Sequence, residues 1–131
     1  MIRGIGIDSV SISEIKRYLE IFGDTFVNRT FTKKEVEASK LAPRQEEYLA
    51  TRFAAKEAVF KSIAHFTDRK LFDFRIVETL NETDGYPVVQ MEGKLLALAE
   101  EAGVTVIHIT MTTEKDLAIV FAVAESDSIM G

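Results

Sequence analysis

Three side chains in this chain have the types and spacing to do chemistry together: Asp8, Glu57 and Lys61. Glu57 stands in the segment 44–64 (RQEEYLATRFAAKEAVFKSIA), a run of helix formers containing neither Gly nor Pro. At about 100° per residue, Leu49, Ala50, Phe53, Ala54, Phe60, Ile63 and Ala64 share one broad arc. Glu57 projects from its centre, beside Phe53 and Phe60. A carboxylate buried there requires a partner, a proton or a metal. Lys61 follows one turn later on the same side. Asp8 ends a glycine-bearing strand just before a helix, where a side chain points into a cleft. Carboxylate oxygens suit Mg²⁺, which takes only one or two of them and completes its shell with water and phosphate oxygens. Asp8, Glu57 and Lys61 could therefore serve a metal-bound phosphate ester. The spacing equally fits an ordinary i,i+4 Glu–Lys pair with Asp8 as a loop residue.

Other chemistries find less support. GIGIDS has Gly4-x-Gly6 but Ser9 where a dinucleotide fingerprint needs its third glycine, and no helix directly follows. His65 and His108 are isolated, without metal-ligand spacing. Neither a Ser-His-Asp set nor a phosphate loop is present, and the serines at 9, 11 and 13 belong to a helix-capping region. With no cysteine, disulfide and thiolate chemistry are excluded, which fits the cytoplasm.

The elements that must position these residues read as α+β. Ile2–Asp8 is a strand with Ile5 and Ile7 on one face and Gly4 and Gly6 on the other. A helix starts at Ser11, where Ser11 and Glu14 form a capping box and Ile12, Ile15, Tyr18 and Leu19 an apolar stripe; Gly23 ends it. Thr32 and Glu35 form a second capping box for a short helix through Ser39. Pro43 precedes the long helix. Phe74–Leu80 and Pro87–Glu92 read as strands around the Asp84-Gly85 turn. Lys94–Ala102 is a helix stopped by Gly103. Val104–Thr113 alternates, with Ile107, Ile109 and Met111 facing one way and His108, Thr110 and Thr112 the other. A tight turn leads into the apolar strand Leu117–Glu125, so the pairing is antiparallel. The expected fold is one domain over 1–131, an antiparallel sheet packed against a long central helix, with Ser126–Gly131 frayed.

Composition bounds the rest. At 131 residues, 47% hydrophobic and 28% charged, the chain is long enough for one core. No segment is long and apolar enough to span a membrane, and the first residues lack a signal-peptide pattern. Net charge is −5, unevenly spread. Residues 1–70 carry 13 Lys/Arg against 10 Asp/Glu, and residues 71–131 carry 3 against 11. The basic half could dock an anionic ligand or an acidic protein, or be a solvated surface. No dense basic run points to nucleic acid.

Two strings bring a resemblance. GIGIDSVSISEI at the N-terminus and RFAAKEAVFKS about forty residues later closely resemble holo-acyl-carrier-protein synthase, the short class of 4'-phosphopantetheinyl transferases. The FTKKE segment at Phe31, the Gly85-x-Pro87 turn and the closing AIVFAVAE are similar more loosely. The resemblance implies transfer of phosphopantetheine from coenzyme A to a serine of an apo acyl carrier protein, as in fatty-acid biosynthesis, with adenosine 3',5'-bisphosphate released. It also implies a homotrimer with active sites between subunits. Asp8 and Glu57 would hold Mg²⁺ or Mn²⁺ against the coenzyme A pyrophosphate, and Lys61 would contact phosphate. Arg52, and the Gly85-Tyr86-Pro87 turn from a neighbouring subunit, would help seat the nucleotide. Three positions depart from the family pattern. Glu14 stands where the family usually carries Arg in a carrier-gripping basic patch, although Lys16, Arg17, Arg29 and Arg44 could compensate. Ala64-His65-Phe66 replaces a glycine-rich turn, and Thr110-Met111-Thr112-Thr113 replaces a Ser-x-Ser-His run. These departures leave a second reading open: a catalytically weak homologue that binds coenzyme A or a carrier protein without transferring anything.

Overall fold

Strand β1 (Ile2–Ser11) runs three residues past its expected end and pairs along its length with β5 (Leu117–Glu125), which pairs in turn with β4 (Val106–Glu114). The sheet order is β1-β5-β4 and both pairings are antiparallel, as the tight turn between β4 and β5 required of that pair. The structure, a computed structural model, describes residues 1–66 and 73–127. Helix α4 (Gln45–Ile63) lies across one face of this sheet. Ala54, Ala58, Val59 and Ile63 from the helix meet Ile107, Ile109, Val120 and Ala122 from the strands in the main core.

Sequence signals account for most of the remaining elements. Ser11 caps α1 (Ile12–Phe22), its side chain accepting from the Glu14 N–H, and Gly23 ends that helix at φ +52. Both arms of the Thr32/Glu35 capping box are made at the start of α3 (Lys33–Leu41). Between them, α2 (Asp24–Thr30) was not foreseen, because Gly23 both stops one helix and begins the next. Ile15, Phe31, Leu49 and Ala50 join these helices in a second core cluster that Ala118 of β5 completes.

Three further expectations are corrected. The predicted strand Phe74–Leu80 is a 3₁₀ turn over Phe74–Ile76, and only β2 (Thr79–Asn81) is strand. The Asp73 carboxylate accepts from the Arg75 N–H and side chain, which curls the chain there. Its partner β3 (Pro87–Val89) is correspondingly short, and α5 (Gly93–Glu101) follows. Ser126 is not frayed, since its N–H donates to Met1 O and its carbonyl accepts from the Met1 ammonium; residues 128–131 lie outside the described residues. Finally, α4 has no single buried arc. It is covered on several sides by β1, β5 and β4, by α1 and α3, and at Arg52 by the strand β2, so Thr51, Arg52, Lys56 and Ser62 are buried too. Glu57 is only half-buried.

Candidate active site

Close packing of β1 on α4 builds the site. A Cβ on Gly4 would lie 1.9 Å from the Ser62 carbonyl oxygen, and one on Gly6 only 2.1 Å from that of Ala58. The two glycines therefore let the strand rest on the helix backbone itself. Side chains alternate along a strand, so Asp8 points the same way, toward α4. There the Lys61 ammonium donates to Asp8 Oδ1 at 3.1 Å and to the Ile7 carbonyl at 3.0 Å. Glu57, one turn back from Lys61, shares this cleft. Burial first, and the Asp8 charge next, hold its carboxyl above the usual carboxylate range, while Lys61 pulls the other way. Asp8, Glu57 and Lys61 thus converge from β1 and α4.

Arg52 and the Gly85-Tyr86-Pro87 turn sit elsewhere. Arg52 is 3% exposed. Its guanidinium stacks on Tyr48 at 3.9 Å and donates to Asn81 Oδ1 at 2.5 Å, to the Thr79 carbonyl at 3.3 Å, and to Met111 Sδ on β4. Gly85 takes φ +86 at the hairpin tip, and the Tyr86 hydroxyl donates to Ile109 O, also on β4. With β5 between β1 and β4, the two groups occupy opposite edges of the sheet. Within one chain the structure does not bring Arg52, Gly85 and Pro87 to Asp8 and Glu57.

Sequence reasoning missed two features. Among the described residues the fully buried charges are Lys56 and Glu35, both 0% exposed, with Nζ 2.7 Å from Oε1. Burial pushes the Lys56 ammonium down and Glu35 pulls it back. Glu35 was read as a capping residue only; the alanines and valine flanking Lys56 were the available signal that it is enclosed. The second is a groove of about 680 Å³ lined by Tyr18, Phe22, Phe26, Phe53 and Phe74, with Arg29 and Arg75 at its rim. Glu14 belongs beside it, because its carboxylate accepts from the Tyr18 hydroxyl at 2.6 Å.

The site residues lie inside a recognisable family pattern. The family model described as the 4'-phosphopantetheinyl transferase superfamily matches residues 4–122. The chain belongs to that superfamily. A holo-[acyl-carrier-protein] synthase of Clostridium kluyveri is 39% identical over 129 residues, covering 98% of this chain and 94% of the relative. The crystal structure of holo-[acyl-carrier-protein] synthase from Neisseria meningitidis superposes with a TM-score of 0.85 at 35% identity, covering 96% of this chain and all of that one. A Bacillus anthracis holo-(acyl-carrier-protein) synthase, solved in complex with coenzyme A (3',5'-ADP), superposes at 0.76 with 29% identity, covering 97% and 99%. The resemblance carried by the two strings, and the α+β fold expected of it, are both borne out.

Proposed function

We propose that this chain transfers the 4'-phosphopantetheine group of coenzyme A to a serine of an apo acyl carrier protein, with Mg²⁺, releasing adenosine 3',5'-bisphosphate. The observation that carries the reading is the convergence of Asp8, Glu57 and Lys61 from the two strings that match the family. The site fits a divalent ion by its donors: two hard carboxylates in one cleft, with the Glu57 carboxylate accepting no hydrogen bond among the described residues. Two carboxylates are enough for Mg²⁺, an ion that leaves most of its shell to water and substrate phosphate. Bound there, the ion would supply charge neutralisation at the pyrophosphate.

In the reaction the serine hydroxyl oxygen bonds to the phosphorus that carries pantetheine. The bond from that phosphorus to the bridging oxygen breaks, and the electron pair leaves with the bisphosphate. Glu57 takes the serine proton, directly or through water, and such assistance is worth about 10²–10⁴-fold. Lys61, about half exposed on its side of the cleft, neutralises charge on the departing group. Asp8 orients Lys61 and supplies the second carboxylate.

The active species is a ring of copies, a homotrimer by family likeness. Ile5 and Ile7 are about 60% exposed on the outer face of the sheet, alongside Phe121. An apolar face of this kind is what subunits cover. Each chain carries Asp8 and Glu57 at one sheet edge and the Gly85–Pro87 turn at the other, so a head-to-tail ring completes each site with the next copy's turn. The carrier docks over the aromatic groove, its acidic helices meeting Arg29 and Arg75. No described helix is long and apolar enough to cross a membrane, and the cytoplasm is the compartment proposed. Asp8→Ala and Glu57→Ala are expected each to abolish transfer, measured by carrier mass, while circular dichroism stays unchanged. Retained transfer in either variant would overturn the assignment.

A further inference from the structure

The β2–β3 hairpin is three residues wide on each strand and pairs with nothing else in the sheet. Two-stranded hairpins are marginal alone, so something must hold this one. Two cations of α4, one turn apart, do so. The Lys56 ammonium donates to the Val77 carbonyl and to Glu35 Oε1, and Glu35 Oε2 accepts the Thr79 N–H at 3.1 Å. Arg52 holds the Thr79 carbonyl and Asn81 Oδ1. The contacts fall at Val77, just before β2, and at Thr79 and Asn81 within it, alternate positions along the incoming segment. A buried ion pair is a weak source of stability against apolar side chains of equal size, which leaves geometry as its contribution here.

We propose that Lys56, through Glu35 and together with Arg52, is a positioning residue for coenzyme A: it fixes the hairpin whose Gly85–Pro87 tip completes the site of the neighbouring copy. This rests on the transferase reading and its interfacial site. It assigns Arg52 a different part from direct nucleotide contact, since its donors are already engaged inside its own chain. It also makes α4 a strut between two half-sites, with Glu57 serving one active site and Lys56, the adjacent residue, serving the next.

The test uses the full-length protein and two variants, Lys56→Met and the milder Asn81→Ala, which keeps the core intact. Amide hydrogen exchange is measured across residues 79–89 and, as reference, across β5. The expected result is exchange at least tenfold faster in the hairpin with β5 unchanged. KM for coenzyme A should rise about tenfold, the effect of losing one hydrogen bond to a charged group, with kcat changed less. At coenzyme A concentrations well below KM, where Lys56→Met is about tenfold less active than the wild type and Asp8→Ala is inactive, mixing the two should restore about a quarter of the wild-type sites in a random ring. A mixture no better than the average of its parts would overturn the in-trans role. Unchanged exchange and unchanged KM in both variants, in a wild-type background that transfers, would overturn the clamp. The exchange measurement needs no turnover. A wild-type protein that transfers nothing would therefore sink the transferase reading separately, while the exchange result still decided whether the cations hold the hairpin.

Discussion

Gly6 is the position where adding one methyl group should damage the chemistry most cleanly. In Gly6→Ala the new Cβ would sit 2.1 Å from the Ala58 carbonyl oxygen and 2.9 Å from both Lys61 Cβ and Ser62 N. Two of these neighbours are helix backbone, which cannot rotate away. Ordinary contact begins near 3.4 Å, so strand and helix must separate by about 1.3 Å, the difference between 2.1 and 3.4. Overpacking of this kind costs about 1–3 kcal/mol, and the rigid target places Gly6→Ala near the upper end. For a domain of this size that lowers Tm by roughly 10 °C. The separation opens between the strand carrying Asp8 and the helix carrying Glu57 and Lys61, and a displacement near 1 Å can cost about 10²-fold in rate. The assay is carrier modification at a temperature well below the lowered Tm, beside thermal denaturation of the same samples. Gly103→Ala is the control: its φ of +72 makes alanine strained, but an added Cβ would meet only the Arg3 side chain, at an ordinary 3.7 Å, so it should lower Tm while sparing kcat. A Gly6→Ala protein with wild-type transfer would refute the claim that direct strand-on-helix contact sets the site.

Glu57→Gln should abolish transfer yet melt above the wild type at neutral pH without divalent ion. Its carboxyl is held above the usual range by burial and by Asp8, so the folded state favours the protonated form, and stability present at acid pH is lost as pH rises through the folded value. The gap should close on acidification; a variant that melts lower at pH 7–8 would contradict this. Ile7→Glu, placing a carboxylate on the exposed outer face of the sheet, should yield a folded, inactive, smaller species by analytical ultracentrifugation, and an unchanged assembly would remove that face from the interface. Glu14→Arg should raise kcat/KM for a strongly acidic carrier, with the gain shrinking as salt rises. Tyr18→Phe, which only breaks the bond to Glu14, should not reproduce it; equal behaviour of the two variants would show that Glu14 acts by holding Tyr18.

Local signals made much of this fold legible. Capping residues, Gly23 and Gly103, and the period-two alternation read over Val104–Thr113 are decided by chemistry within a few residues; the caps and glycines stand where the pattern put them, and the alternating segment forms β4 at Val106–Glu114. The Asp8–Lys61 contact spans 53 positions, and nothing local encodes it; the paired glycines hinted at it, since a bare strand face must meet a close neighbour. Glu57 was expected at the centre of a buried arc because periodicity sees a helix with one apolar side. Helix α4 is enclosed by three groups of elements, so its deepest charges are Lys56 and Arg52, whose partners come from α3 and β2. The 3₁₀ turn at Phe74–Ile76 was lost for a similar reason: Asp73 and Arg75 interrupt an otherwise strand-like pattern by bonding to each other. Glu14 shows the converse, a residue first assigned to a cap that instead anchors an aromatic groove wall.

The central claim is that the cleft between β1 and α4 moves phosphopantetheine onto a carrier protein. It is tested most directly by incubating the purified chain with apo carrier, coenzyme A and Mg²⁺ and weighing the carrier by mass spectrometry. The account predicts a gain of one phosphopantetheine group on a single serine, lost when a chelator removes the metal and lost again in Glu57→Ala. A carrier of unchanged mass with the wild-type protein, or an equal gain with Glu57→Ala, would contradict it.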